Sequence, residues 1–259
     1  SMTGQHNTGA TYALSLSGST SITAGTGVTL ESLNNNTGTI ALLSSGGING
    51  GSGTVLMRAA NYAFGGADRT ITTTGVLTIQ PDADENSFAS SFDNQYLNPV
   101  SVTGLTLGKS SNASAITLSR AISLSGPVSI YGGSIDVNAN ITANSGNILL
   151  DADTGSTLNQ SSTGILLDDA ITIETVTSGN LTLIGRSGDT GSGFDGIDAS
   201  SANTTTLRSA GNLTLQGYSY AASGSGRGVD LNNDVIAASG TVSMTGQHNT
   251  GATYALSLS

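Results

Sequence analysis

The sequence has no cysteine, no tryptophan, three prolines and only seven basic residues, of which one, Lys109, is a lysine. Without cysteine there is no disulfide scaffold, no thiolate metal site and no cysteine nucleophile. Without clustered Lys and Arg nothing can neutralise a phosphate backbone, which excludes nucleic acid as a partner. Charged residues make up only 9% of the chain and the formal net charge is −10, a balance that disfavours docking onto anionic lipid. No apolar run approaches the ~18 residues of a membrane helix, so direct membrane insertion is not expected. No basic start followed by an apolar core marks a signal peptide.

What the chain has in quantity is glycine, 36 residues of 259, together with Ser, Thr, Asn and scattered Val, Ile and Leu. That glycine share is about twice the usual one. Low charge and a hydrophobic fraction of 36% argue against disorder. Such a chain builds a core only if its few apolar side chains all point one way.

Internal repetition is the strongest signal. Residues 1–17, SMTGQHNTGATYALSLS, recur letter for letter at 243–259. The chain therefore reads as one 242-residue unit, 1–242, followed by the first 17 residues of an identical unit, a cut through a tandem array. The two 17-residue copies are expected to occupy equivalent places one period apart, with the units meeting head to tail.

A shorter pattern runs inside the unit: glycine, one residue, then apolar-x-apolar. It appears as Gly38-Thr-Ile-Ala-Leu42, Gly53-Thr-Val-Leu-Met57, Gly75-Val-Leu-Thr-Ile79, Gly126-Pro-Val-Ser-Ile130 and Gly146-Asn-Ile-Leu-Leu150. It continues as Gly179-Asn-Leu-Thr-Leu183, Gly211-Asn-Leu-Thr-Leu215 and Gly240-Thr-Val-Ser-Met244. Apolar residues at every second position are strand periodicity. Glycine and β-branched residues disfavour helix, and Asn-Gly or Asp-Gly hairpin turns are scarce. Short strands recurring every ~20–30 residues fit an all-β, parallel β-helix, or β-solenoid, with about ten rungs per repeat. The apolar pair of each step is expected to point inward and stack in columns. Asn147, Asn180 and Asn212, each following a glycine, are expected to form a ladder with amide-to-amide bonds along the axis.

The strings GNLTL at 179–183 and 211–215, GNILL at 146–150 and ALSLSGSTSITAGTGVTL at 13–30 resemble the filamentous-haemagglutinin-like exoproteins of bacterial two-partner secretion and related giant adhesins. The resemblance covers nearly the whole chain. It implies a right-handed β-helix fibre on the cell surface, exported unfolded through an outer-membrane pore. Partners would be adjacent identical repeats, with host or neighbouring-cell glycans or proteins as receptors. The uneven step length departs from the more regular repeats of that family.

Two stretches break the pattern. In residues 80–100, Phe88, Phe92 and Tyr96 fall at i, i+4 and i+8, as on one helix face. With Pro99 as a stop, this reads as a loop or short-helix excursion. These aromatics, with Asp82 and Asp84, form a candidate interaction surface. In residues 186–206, Asp189, Asp195 and Asp198 lie among glycines. They are the residues a calcium ion would use, but their spacing matches no EF-hand loop; a polar loop with no metal and no cofactor is expected.

Catalysis finds little support. The carboxylate pairs Asp151/Asp153 and Asp168/Asp169 are the candidates for glycoside cleavage. The two histidines, His6 and His248, are the same residue of successive repeats, and no acid neighbours them in sequence. No nucleophile elbow or phosphate loop is present. A structural fibre or adhesin stalk, active in attachment or biofilm, is the leading expectation. A self-assembling extracellular filament is the alternative, and a polysaccharide-degrading enzyme the third reading.

Overall fold

The computed structural model describes the chain except for residues 5–11, 33–37, 44–45, 67, 100, 153–161, 169, 191, 200–203, 233 and 249–253. The described residues hold 29 strands and no helix, and every pairing is parallel. The strands recur in a strict order of three, each set making one coil with three faces.

The first face is one unbroken ten-stranded sheet. Its strands are Met2–Gly4, Val28–Ser32, Val55–Arg58, Val76–Gln80, Gly104–Leu107, Val128–Tyr131, Ile148–Ala152, Leu181–Arg186, Leu213–Ser219 and Val242–His248. In this sheet Met2 pairs with Leu30, Leu30 with Met57, Met57 with Ile79, Ile79 with Leu107 and Leu107 with Ile130. Ile130 pairs with Leu150, Leu150 with Leu183, Leu183 with Leu215, and Leu215 with Met244. Nine such steps carry Met2 onto Met244, the same residue of the next repeat, so one repeat is nine whole coils rather than about ten. The Gly38 step belongs to a different face from the other glycine steps. Its strand, Thr39–Leu42, lies on the second face, and the same apolar-x-apolar motif serves all three faces. True step lengths run from 20 residues, Ile130 to Leu150, to 33, Leu150 to Leu183.

The interior follows from the alternation. Of the sixteen apolar side chains expected to point inward, all fourteen from Ile40 to Leu215 have no solvent exposure. The remaining two, Val242 and Met244, sit in the last coil, where Val242 is 42% exposed and Met244 half-buried. A zero-exposure Leu or Ile contributes about 1.5–3 kcal/mol by leaving water. The strands are too short to be stable alone, so each coil depends on the ones above and below.

The second and third faces are each interrupted once. On the second, Leu14–Leu16, Thr39–Leu42 and Asn61–Phe64 form one sheet. A second sheet runs from Phe92–Asp93 through Ile116–Leu118, Ile135–Val137, Ile165–Leu167, Ile197–Ala199 and Val229–Leu231 to Leu256–Leu258. On the third face, four strands ending at Leu97–Pro99 stack below five that begin at Ile122–Leu124.

Side chains tie the molecule together around this interruption. The guanidinium of Arg120 makes a two-pronged contact with Asp68, two coils earlier, at 2.6 and 2.8 Å. Asn94 Nδ2 donates to Arg120 O, and the Arg120 main-chain N–H donates back to Asn94 Oδ1, both at 2.9 Å. Further down, Arg69 points into the interior with no exposure. Its guanidinium donates to Leu16 O, Thr20 O and Gly46 O, carbonyls of the two preceding coils, and burial lowers its pKa.

The asparagine ladder exists, but its chemistry differs from the expectation. Asn147 Oδ1 accepts the main-chain N–H of Asn180 at 2.8 Å. Asn180 Oδ1 accepts that of Asn212 at 2.8 Å, and Asn212 Oδ1 accepts that of Thr241 at 2.9 Å. Each side chain caps a backbone donor of the next coil, because at this corner the strand ladder has not yet begun. The preceding glycines Gly146 and Gly179 hold φ of 112° and 110°, a region open chiefly to glycine.

The two repeat copies fold alike where described. Leu14–Leu16 and Leu256–Leu258 are the same strand, and Met2–Gly4 corresponds to the middle of Val242–His248. A Cβ on Gly4 would lie 2.0 Å from Ala13 O, and one on Gly246 would lie 2.1 Å from Ala255 O, so the same tight corner forms in both.

Candidate functional site

The interruption of the second face leaves the strand Asn61–Phe64 with a strand neighbour on one side only. Tyr62 and Phe64 continue the columns of Ile40 and Leu42, which are fully buried, yet both are only partly buried because no strand pairs with theirs on the other side. Phe88 and Phe92 close in beside them. Tyr62 meets Phe88 and Phe92 edge-on at 5.8 and 5.5 Å, and Phe64 meets Phe92 edge-on at 6.0 Å. Phe88 and Phe92 stack at 5.5 Å. Three of the four phenylalanines of the chain thus gather at one place in an otherwise aliphatic interior. Such edge-on and stacked pairs add about 0.5–1.5 kcal/mol each beyond their area.

Over these rings lies a pocket of about 210 Å³, rimmed by Asn61, Ser90, Asp93, Gln95 and Tyr96. Asn61 Oδ1 accepts the Ser90 hydroxyl at 2.9 Å, and Asp93 Oδ1 accepts the Gln95 main-chain N–H at 2.9 Å, so the rim is held by its own bonds. Tyr62 Oη donates to Gln80 O at 3.1 Å, and burial pushes its pKa well above the usual phenol value.

Phe88, Phe92 and Tyr96 therefore meet around one pocket, but not on a helix. Residues 81–91 form turns, closed locally by the Glu85 N–H on Asp82 O at 3.1 Å and otherwise held by neighbouring coils. Ala89 N–H donates to Ala60 O at 2.8 Å, Phe88 N–H donates to Asn112 Oδ1 at 3.2 Å, and the Lys109 ammonium holds Glu85 O. Phe88 and Phe92 are each 3% exposed, so they are walls of the interior rather than an open platform. Asp82 is buried, with its Oδ1 accepting the Ala83 N–H at 2.6 Å, and Asp84 is exposed; neither lines the pocket. Tyr62 and Phe64 were missed by sequence reasoning; the step Tyr62-Ala-Phe64, apolar-x-apolar but aromatic, was the available signal.

A second cluster forms on the outward side of the same face. Asp195, Asp198 and Asp230 bring carboxylate oxygens within 4.8 Å of one another. Asp198 and Asp230 are paired in register, and Asp230, not Asp189, completes the group. Arg227 serves it twice: its main-chain N–H donates to Asp195 Oδ1 and its guanidinium to Asp230 Oδ2. These three carboxylates are the residues that could hold a cation, and the Arg227 guanidinium, bonded to Asp230, offsets only one of their charges. Burial raises the Asp195 pKa to about 6, with further upward pushes from Asp198 and Asp230.

Among the described residues, those weighed for catalysis do not converge. Asp153, Asp169 and His6 lie outside the described residues. Asp151 faces outward on the first face, paired with Tyr131 and Ile184, while Asp168 is exposed beyond Ile165–Leu167 on the second. His248 adjoins Tyr218, Tyr220 and Gln247, in a pocket whose lining has no carboxylate.

Comparison of the chain with family models, with curated proteins and with solved structures finds no match. The fold and the two sites above carry the functional argument alone.

Proposed function

We propose that the chain is a repeat of an extracellular fibre, the stalk of a bacterial surface adhesin of the filamentous-haemagglutinin-like kind. One observation carries the reading: the 242-residue sequence repeat equals a whole number of coils. Met244 continues the column begun by Met2, and Leu256–Leu258 repeats Leu14–Leu16, so the second copy takes up the first and second faces in the register of the first. A globular unit repeated in tandem needs no such match. Nine coils at about 4.8 Å would add about 43 Å of rod per repeat. The net charge of −10 repels neighbouring rods sideways and keeps them separate.

The role is structural rather than enzymatic, and its partners are adjacent identical repeats and the surface to which the cell attaches. The test is done on intact cells that make the protein. Antibody raised against the chain should label their outer surface, external protease should remove the label, and deleting the coding sequence should reduce attachment. Label confined to the cell interior would overturn the reading.

A further inference from the structure

We propose that the aromatic-floored window in the second face binds the ring of a neutral sugar. Four features of the window lead there.

First, its floor consists of interior positions left uncovered. Tyr62 and Phe64 stand in register with Ile40 and Leu42 of the coil below, which are fully buried. Flat, partly exposed rings lining a recess suit the C–H face of a pyranose. Secondly, the rim is polar without being basic. Among its residues, Asn61 and Gln95 offer amide donors and acceptors, Ser90 and Tyr96 offer hydroxyls, and Asp93 offers acceptors. That set matches a ring of hydroxyl groups. Among the described residues no Lys or Arg lines the window, which selects against phosphate, sulfate and uronate groups.

Thirdly, the size is that of one ring. The volume of about 210 Å³ lies below the roughly 300–1,000 Å³ of drug-sized sites, so it accepts a single sugar unit of a chain. Fourthly, the frame is rigid. Phe88 N–H is anchored on Asn112 Oδ1, Asp93 Oδ2 accepts the Ser119 hydroxyl at 3.1 Å, and the Arg120–Asp68 pair clamps the neighbouring face. A recess held from both sides is preorganised and loses little entropy on binding. The alternative occupant is an ammonium ion over the rings, balanced by Asp93. The rim argues against it, because one carboxylate already accepting two hydrogen bonds is a weak partner beside four neutral hydrogen-bonding groups.

This inference stands apart from the fibre reading. A window that binds no sugar leaves the nine-coil rod intact, and a chain that is no fibre can still bind sugar there. The experiment is saturation-transfer difference NMR on the 259-residue chain, with the methyl glycosides of glucose, galactose and mannose as probes and choline as the cationic control. The expected result is saturation of the ring C–H protons of at least one glycoside. It should fall about three- to tenfold in Asn61→Ala and in Gln95→Ala, the loss of one or two hydrogen bonds. Both are rim substitutions, and an unchanged melting temperature shows that the fold survives them. Phe64→Leu, which keeps the core filled but removes a ring, should abolish the signal. The proposal is overturned if no glycoside is saturated, if saturation is indifferent to the rim substitutions, or if only choline responds.

Discussion

Below the interruption, from Leu14 to Pro99, and above it, from Gly104 to His248, the same chain solves the same problem in two ways. The upper coils stack by repetition. Their columns are Ile, Leu, Val and Ala, their corners are Gly-Asn steps, and the ladder Asn147, Asn180, Asn212 caps each next coil. The lower coils depend on single, unrepeated side chains: a buried Arg69 tying three coils, the Arg120–Asp68 clamp, and an aromatic cluster where a strand pairing is missing. The difference shows how a solenoid accommodates an irregular coil. Where backbone pairing stops, long polar side chains reach across to carbonyls and carboxylates one or two coils away.

The largest expected effect breaks the lower region alone. Arg69→Met keeps the volume but removes the guanidinium that donates to the carbonyls of Leu16, Thr20 and Gly46, of which Leu16 O keeps the Leu43 N–H, at a cost of about 3 kcal/mol. Hydrogen exchange should accelerate in Leu14–Leu16 and Thr39–Leu42 while Ile148–Ala152 and Leu181–Arg186 stay protected. Equal acceleration along the whole rod would show that the two regions are one cooperative unit.

Leu183→Ala tests the upper region, with an expected loss of about 2–5 kcal/mol by urea denaturation. Its exchange effect should centre on the coils of Leu150 and Leu215, its column neighbours. A change confined to the coils below Gly104 would contradict the column picture.

The two regions respond oppositely to pH, because Asp195 lies in the upper one and Asp68 at the clamp. The folded pKa of Asp195 is raised by burial from 3.8 to about 6, so the folded chain holds a proton that the unfolded chain has released. Its effect therefore favours the folded state at low pH and is lost as pH rises from about 4 to about 6. Asp136 and Asp234, also raised by burial, act in the same direction. Asp68 acts oppositely: the Arg120 hydrogen bonds hold its pKa below the usual value, a stabilisation lost as pH falls through that lowered pKa. Thermal melting should show stability declining over the window from about 4 to about 6, and Asp195→Asn should flatten that decline. A rise in stability across the window, equal in wild type and variant, would refute the assignment.

The smallest effect is at the ladder. Asn180→Ala removes the acceptor for the Asn212 N–H at an exposed corner, where water can replace it, so about 1 kcal/mol is expected from denaturant titration. Gly179→Ala should cost more, since a Cβ there would lie 2.0 Å from Gly146 O and φ is 110°.

The repetitive region was the legible one. Alternation after each glycine marked the inward residues, and fourteen of them are fully buried. The faces were not legible, since a strand of three to five residues carries the same motif on every side of a triangular coil. Arg69 was not legible either. In Ala67-Asp68-Arg69-Thr70-Ile71 it reads as a polar loop residue, and only the coil stacking brings three carbonyls to it. The spacing of Phe88, Phe92 and Tyr96 suggested a helix because a gap of four residues also suits a chain folded back in turns. What decided between them was the pull of Ala60, Lys109 and Asn112 in neighbouring coils, which sequence spacing does not reveal.

The two copies of the repeated segment show what stacking contributes. Leu16, covered by Leu42 of the next coil, is 4% exposed, while its equivalent Leu258, with no coil above it, is 62% exposed. On the proposed reading, successive identical repeats join into one continuous rod. Small-angle X-ray scattering of chains carrying one, two and three fused 242-residue repeats tests it most directly. A continuous β-helix predicts that the maximum dimension grows by about 43 Å with each repeat while the cross-section stays constant. A cross-section that widens, or an increment that varies with flexible spacing between separate bodies, would contradict it.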